Sequence, residues 1–245
     1  MDTSARTCAA LIKKVESIAA LTGAGISTSA GIPDFRGPQG LYVTKKYDAD
    51  KVFDINQFLT DPVPFFDFAR DFVGLEQTLR PTRAHEFLSA LEATGKLTGL
   101  ITQNIDCLHQ RAGSKNVLEM HGSFSDSYCL ECEKHFSYED MREKLFKVAI
   151  PVCPCGGVIK PDIVFFGENV KYLDEAYSLA ENVDLFFVIG TSCVVYPAAM
   201  IPSLVKGEIV VVNMSPIQID YDNIVLSVQS DIDQFFDQVS QHVGD

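Results

Sequence analysis

Four cysteines stand as Cys129-x-x-Cys132, a 20-residue interval, and Cys153-x-Cys155. That spacing offers four thiolates to one zinc ion in a closed tetrahedral site that builds structure and leaves no open catalytic position. The second pair is one residue shorter than the usual C-x-x-C. Gly156-Gly157 behind it supplies the turn freedom a metal knuckle needs, and four reduced, unliganded cysteines are the competing reading. A second group with chemical capacity is Gly23-Ala24-Gly25, followed at 34–36 by an acid, an aromatic ring and a guanidinium, Asp34-Phe35-Arg36. Glycines after a strand let a backbone approach a pyrophosphate at a helix N-terminus, yet they also serve any tight turn. The third glycine of G-x-G-x-x-G is missing, since Ser27-Thr28 stand there, and no acid closes a second strand further on. Asn104 and Asp106 can orient a substrate or simply cap a helix. His121 can accept a proton near neutral pH, or be a hydrogen-bonded structural group.

These residues need elements to position them. Short apolar runs end in small or polar clusters at four places: Ile18–Leu21 before Thr22-Gly23, Leu97–Thr102 before Gln103-Asn104, Leu185–Ile189 before Gly190-Thr191, and Ile209–Val212 before Asn213-Met214. Such runs predict buried parallel strands, and helix-like stretches at Ala84–Thr94 and Leu173–Asn182 are long enough for crossovers. The expected fold is α/β, a Rossmann-like doubly wound parallel sheet, with ligands outside the carboxyl ends of its strands. Residues 38–80, aromatic and Pro-punctuated, and 122–160, which hold four of the seven cysteines, break the alternation. They are read as a smaller domain, a helical insertion plus a zinc module. Segments 1–37, 81–121 and 161–245 then form the nucleotide-binding domain.

The net charge of −13 argues against a broad nucleic-acid footprint and favours a basic peptide. No apolar run is long enough for a membrane span, and the N-terminus lacks the order of a signal peptide. Seven cysteines, an odd number unevenly spread, argue against a disulfide framework. A cytoplasmic protein is expected. Cys8, Cys107 and Cys193 are read as small apolar residues, and His85, His109, His135 and His242 as structural.

The ordered series GAGIS…GIPDFRG, TQNID at 102–106, LEMHG at 118–122, KPDIVFFGE at 160–168, GTS at 190–192 and VN at 212–213 resembles the sirtuins, NAD-dependent protein deacylases, over roughly residues 18–232, in the manner of a bacterial or archaeal minimal catalytic core. The resemblance implies an acyl-lysine peptide bound between a Rossmann-type domain and a zinc module. In that family's reaction the acyl oxygen attacks C1′ of the nicotinamide ribose, nicotinamide leaves, and a ribose hydroxyl completes the transfer. It assigns Asn104 and Asp106 to positioning and His121 to the general base. It assigns NAD contacts to Gly23, Ala24, Gly25, Ser27, Thr28, Asp34, Phe35, Arg36, Gln103, Asn104, Ile105, Asp106 and His121, and also to Gly190, Thr191, Ser192, Asn213, Met214, Asp231 and Ile232. Peptide contacts fall on Val164, Phe166, Gly167 and Glu168 and on Val194, Val195 and Tyr196, with the peptide adding a strand.

Family members preferring succinyl or malonyl groups carry a Tyr and, three residues later, an Arg. An ungapped reading puts Phe66 and Ala69 there, so an apolar acyl pocket is expected, with Arg70 about 100° round the helix. NAD-dependent lysine deacetylation with NAD as co-substrate and one structural zinc is therefore the expected activity. Mono-ADP-ribosyl transfer from the same NAD site is the alternative.

Overall fold

A computed structural model describes residues 2–34, 47–76 and 78–244. Helices α1 (Asp2–Lys14), α2 (Ala49–Val52), α3 (Ile55–Thr60), α4 (Val63–Glu76), α5 (Arg83–Ala93), α6 (Leu108–Ala112), α7 (Tyr138–Lys147), α8 (Leu173–Glu181) and α9 (Ile232–Val243) are interleaved with strands. The strands are β1 (Ile18–Thr22), β2 (Leu97–Thr102), β3 (Val117–Glu119), β4 (Gly122–Cys129), β5 (His135–Ser137), β6 (Ile159–Ile163), β7 (Leu185–Ile189), β8 (Glu208–Asn213) and β9 (Ile224–Gln229). Two 3-10 helices, Ala24–Ala30 and Ala198–Leu204, complete the described elements.

The chain divides into two compact units. The first comprises the described residues up to Asp34, Arg80–Met120 and those from Tyr172 on; the second comprises the described residues from Tyr47 to Leu79 and His121–Lys171. Segment 161–171, expected with the nucleotide-binding domain, joins the second unit instead. The reason is pairing: β6 runs antiparallel to β4, with Tyr128 opposite Lys160 and Cys129 opposite Ile159. His121 moves with it, because its carbonyl accepts the Val164 N–H at 2.9 Å.

In the first unit a six-stranded sheet has the order β3-β2-β1-β7-β8-β9, and every pairing is parallel. Central strands β1 (IAALT) and β7 (LFFVI) are buried throughout, which is why they read as continuous apolar runs. Helices close one face at spacings i, i+3, i+4, i+7: Ala84, Phe87, Leu88 and Leu91 on α5, and Ile232, Phe235, Phe236 and Val239 on α9. Ala5, Cys8, Ala9 and Ile12 of α1 join the same core. On β2, a Cβ at Gly99 would stand 2.7 Å from Leu179 of α8, so glycine lets that helix approach the sheet. Among the described residues no helix is long and apolar enough to cross a membrane.

The second unit holds an antiparallel sheet, β5-β4-β6. Its core is aromatic: Phe65 lies with ring centroids 5.4 Å from Phe58, 4.9 Å from Phe165 and 6.3 Å from Phe124. The aromatic run 64–72 that looked like an insertion is thus this unit's hydrophobic filling. Ser137 caps α7, accepting the Asp140 N–H while Asp140 reaches back, a reciprocal capping box.

Candidate active site and metal centre

The chain enters the sheet at β1, builds outward through β2 and β3, then returns to the other side of β1 as β7. Strand order therefore reverses between β1 and β7, and a ligand crevice is expected outside their carboxyl ends. Three glycines occupy that point. Gly23 N–H donates to Ile189 O at 3.0 Å and Gly25 N–H to Gly190 O at 2.8 Å. A Cβ on Gly25 would lie 2.8 Å from Gly190 Cα, and one on Gly190, at φ +63°, would lie 2.4 Å from Ile26 N. The glycines let two backbone turns touch at the switch, so the missing third glycine of the fingerprint is no loss to this packing.

Asn104 and Asp106 lie just beyond β2 and are buried. Ser27, fully buried in the 3-10 helix after β1, joins them: its Oγ donates to Asp106 Oδ2 at 2.7 Å, and Asn104 Nδ2 donates to that Oγ at 3.2 Å and to Gly23 O at 3.3 Å. Asp106 Oδ1 also accepts the Leu108 N–H at 2.9 Å. Asp106 therefore receives the first N–H of α6 and is a member of the cluster at once. Burial raises its pKa, against the opposing hydrogen bonds from Leu108, Ser27 and Asn104. Ser27, expected at the nucleotide, has its hydroxyl committed to holding these two side chains.

Beneath this loop lie the two buried histidines. His109 Nε2 is 2.9 Å from Thr22 Oγ1, which reaches Thr102 Oγ1 at 3.0 Å, and Thr102 Oγ1 accepts the Asn104 N–H at 3.1 Å. His85 belongs to the cap of α5, its Nδ1 2.8 Å from Thr82 Oγ1. Burial pushes His85 down to about 3, and burial with the neighbouring His85 holds His109 well below the usual range. Both are neutral structural groups.

Several of the other expected nucleotide residues follow strand ends of the same sheet. Gln103 Nε2 donates to Thr191 Oγ1 at 3.0 Å, linking the ends of β2 and β7, and Ser192 is exposed. Asn213 ends β8 and Met214 follows it, 54% exposed. Asp231 caps α9 through the Gln234 N–H at 2.8 Å and precedes buried Ile232. Ala24 and Ile105 are half-buried, Thr28 is exposed, and its hydroxyl donates to Gly25 O at 3.0 Å. Asp34 is half-buried, whereas Phe35 and Arg36 lie outside the described residues. Val194 and Tyr196 are exposed apolar side chains, and Val195 is half-buried.

In the second unit His121 is half-buried and immediately precedes β4. The glycine after it is obligatory: Gly122 has φ +67°, and a Cβ there would lie 1.8 Å from Asp162 O. Val164 is half-buried, while Phe166, Gly167 and Glu168 are exposed. Glu168, expected to flank a peptide, turns its carboxylate toward Lys160 and the Phe165 N–H. Phe66 and Ala69 are fully buried, Phe66 against Phe58 and Phe65. Arg70 points its guanidinium at the carbonyls of Leu145, Val148 and Ala149 at the end of α7, and at Asp67.

The four cysteine sulfurs converge, all within 4.8 Å of one another. Sγ–Sγ separations are 3.4 Å for Cys129–Cys155, 3.7 Å for Cys132–Cys153 and 3.4 Å for Cys132–Cys155. A tetrahedral zinc with Zn–S of about 2.3 Å places sulfurs about 3.8 Å apart, so the set fits that ion despite the short C-x-C pair. Gly156 takes φ +95°, and a Cβ on Gly157 would stand 2.7 Å from Cys129 Sγ, so the glycine pair bends the chain and clears the sulfur. Burial raises the Cys129 thiol, but backbone N–H groups of Cys132 and Glu131, with the neighbouring thiols, outweigh it and bring it down to about 7.

A parallel sheet with a glycine-lined switch point, joined in one chain to a thiolate metal module, defines a class: nucleotide-binding α/β proteins carrying a structural zinc site. The Sir2 family model matches residues 23–197. The NAD-dependent protein deacetylase of Thermotoga maritima is 44% identical over 91% of this chain and 92% of its own. That of Sulfolobus acidocaldarius is 40% identical over 98% and 95%. A solved Sir2 with a deacetylated p53 peptide and 3′-O-acetyl ADP-ribose superposes with a TM-score of 0.91 at 42% identity, covering 98% of each chain. Sir2Tm bound to a propionylated peptide gives 0.87 at 38% identity, again with 98% of each covered. The chain belongs to the Sir2 family, the sirtuins.

Proposed function

We propose that this protein is an NAD-dependent protein-lysine deacetylase, converting acetyl-lysine, NAD and water to lysine, nicotinamide and O-acetyl-ADP-ribose. The observation that carries the reading is the buried Asn104–Ser27–Asp106 cluster just beyond the carboxyl ends of β1 and β2, in a chain whose relatives are NAD-dependent deacetylases. When bound, NAD supplies a ribose carbon that becomes electrophilic as nicotinamide departs. Asn104, its amide oriented by Ser27 and Gly23, positions the ribose and an ordered water. Asp106, held by Ser27 and the Leu108 N–H, presents a fixed carboxyl group for the nicotinamide amide. Neither has to reorganise as charge develops, which is how preorganised dipoles lower a barrier. His121 accepts the proton of a ribose hydroxyl, a role worth ~10²–10⁴-fold.

Gly23, Ala24, Gly25, Gln103, Thr191, Ser192, Asn213, Met214 and Asp231 line the nucleotide's path along the strand ends. Val164, Phe166 and Gly167, with Val194, Val195 and Tyr196, recognise the acyl-lysine peptide. The four cysteines hold zinc for structure alone. Their use as reduced thiolates supports a cytoplasmic setting. The apolar surroundings of Phe66 and the engagement of Arg70 elsewhere favour short apolar acyl groups over succinyl. His121 and the apolar peptide-facing residues favour deacetylation over ADP-ribosyl transfer. Incubation with NAD and a panel of acyl-lysine peptides, with products identified by mass, tests the reading: free lysine with O-acetyl-ADP-ribose supports it, and an ADP-ribosylated peptide overturns it.

A further inference from the structure

The segment assigned to peptide recognition is held from behind by one ammonium group. Lys160, on β6 opposite Tyr128, is only 8% exposed. Its Nζ donates to Ile163 O at 2.6 Å and Glu168 Oε2 at 2.9 Å, and lies 4.2 Å from the centroid of the Phe165 ring. The same Glu168 oxygen accepts the Phe165 N–H at 2.8 Å, and Glu168 N–H returns to Phe165 O at 3.0 Å. One carboxylate oxygen thus closes the turn Phe165–Glu168, and the lysine pins that turn to the end of β6. Gly167, at φ +96°, makes the reversal. On the opposite side Phe166 N–H donates to Phe53 O at 2.7 Å and Phe166 O accepts the Ile55 N–H at 3.1 Å, so the backbone is fixed while the Phe166 ring stays 46% exposed.

A buried lysine is disfavoured unless its charge is paired and its donors are satisfied. An apolar residue would fill the same space without that demand, so a cation here needs a reason beyond packing. We propose that Lys160 and Glu168 form a clamp that sets the Val164–Gly167 backbone for the incoming acyl-peptide. Lys160 is a positioning residue, and Glu168 acts inward on the protein. The inference rests on the reading of this segment as the peptide-recognition strand.

The clamp and that reading are separable by experiment. In zinc-loaded Lys160→Met, the Phe165 and Phe166 amides exchange hydrogen ~10-fold faster or more, while Lys160→Arg stays near wild type. KM for an acetyl-lysine peptide rises ~10-fold, whereas KM for NAD moves less than ~2-fold. The double variant Lys160→Met with Glu168→Gln regains thermal stability, because no unpaired charge remains, yet keeps the raised peptide KM. Unchanged amide exchange in the folded variant overturns the clamp, whatever the enzyme acts on. Faster exchange with an unchanged peptide KM overturns its part in recognition. A wild-type protein inert toward acetyl-lysine peptides removes the deacetylase reading and leaves the clamp to be decided by exchange alone. Should Lys160→Met fail to fold, Glu168→Gln provides the same exchange and KM readouts.

Discussion

The two units solve the problem of a stable core in different ways. The first buries two continuous apolar strands, β1 and β7, under helices whose faces are apolar at every required turn. The second has a three-stranded antiparallel sheet and fills its interior with phenylalanine rings, then ties β4 to the approach of β6 through four thiols. Small modules bury too little surface to be secure alone, and a metal supplies what packing cannot. The contrast extends to chemistry. The first unit holds Asn104 and Asp106 by side-chain hydrogen bonds, whereas the second offers His121 in the turn just before β4, held through its backbone carbonyl.

That division of labour can be broken most sharply by single substitutions. His121→Ala should abolish deacetylation, a loss of ~10²-fold or more, while NAD still binds; activity above a tenth of wild type in folded protein would remove His121 from the base role. Asn104→Ala, in the other unit, should suppress nicotinamide release itself, and normal nicotinamide exchange in that variant would break the assignment. The next effect is selectivity. kcat/KM for an acetyl-lysine peptide should exceed that for the succinyl analogue by ~10²-fold, since a buried carboxylate needs a cation and Arg70 is committed to α7. Equal rates would mean that another cation reaches the pocket.

Two milder perturbations address the cores separately. A chelator should strip one zinc per chain and expose the amides of 122–160 to exchange before those of the parallel sheet. Active protein free of zinc by elemental analysis would defeat the four-thiolate site. Acid should strike the first unit through its histidines. Because His85 is held at about 3 in the fold, below its unfolded value, the unfolded chain binds the extra proton first. The stability from keeping it neutral is whole above the unfolded pKa and is lost as pH falls toward 3, at about 1.4 kcal/mol per pH unit. His85→Phe should flatten that slope in an unfolding titration from pH 6.5 downward, and an unchanged slope would place the acid sensitivity elsewhere.

Much of the first unit was legible because local pattern and tertiary role agree. A strand buried on both faces must be apolar throughout, so Leu185–Ile189 and Ile18–Leu21 announce themselves, and helices α5 and α8 begin and end within a residue of their expected bounds. The cysteine spacing likewise foretold a converged set, since metal ligation constrains sequence separation directly. Three things were not readable. KPDIV lies in the second unit, because β-pairing partners are chosen by distant backbone and leave no periodicity to count. Ser27 and Glu168 are expected as ligand contacts, and the engagement of their side chains with Asp106 and Lys160 could not be read from residue type. Residue type states what a side chain can donate or accept, and only the three-dimensional neighbourhood decides to whom. The sequence by itself determined the buried strands, the metal ligands and the chemical groups available. The tertiary structure alone decided which polar groups face a substrate and which hold the others still, because burial leaves each hydrogen-bonding atom only the partners that folding brings within reach.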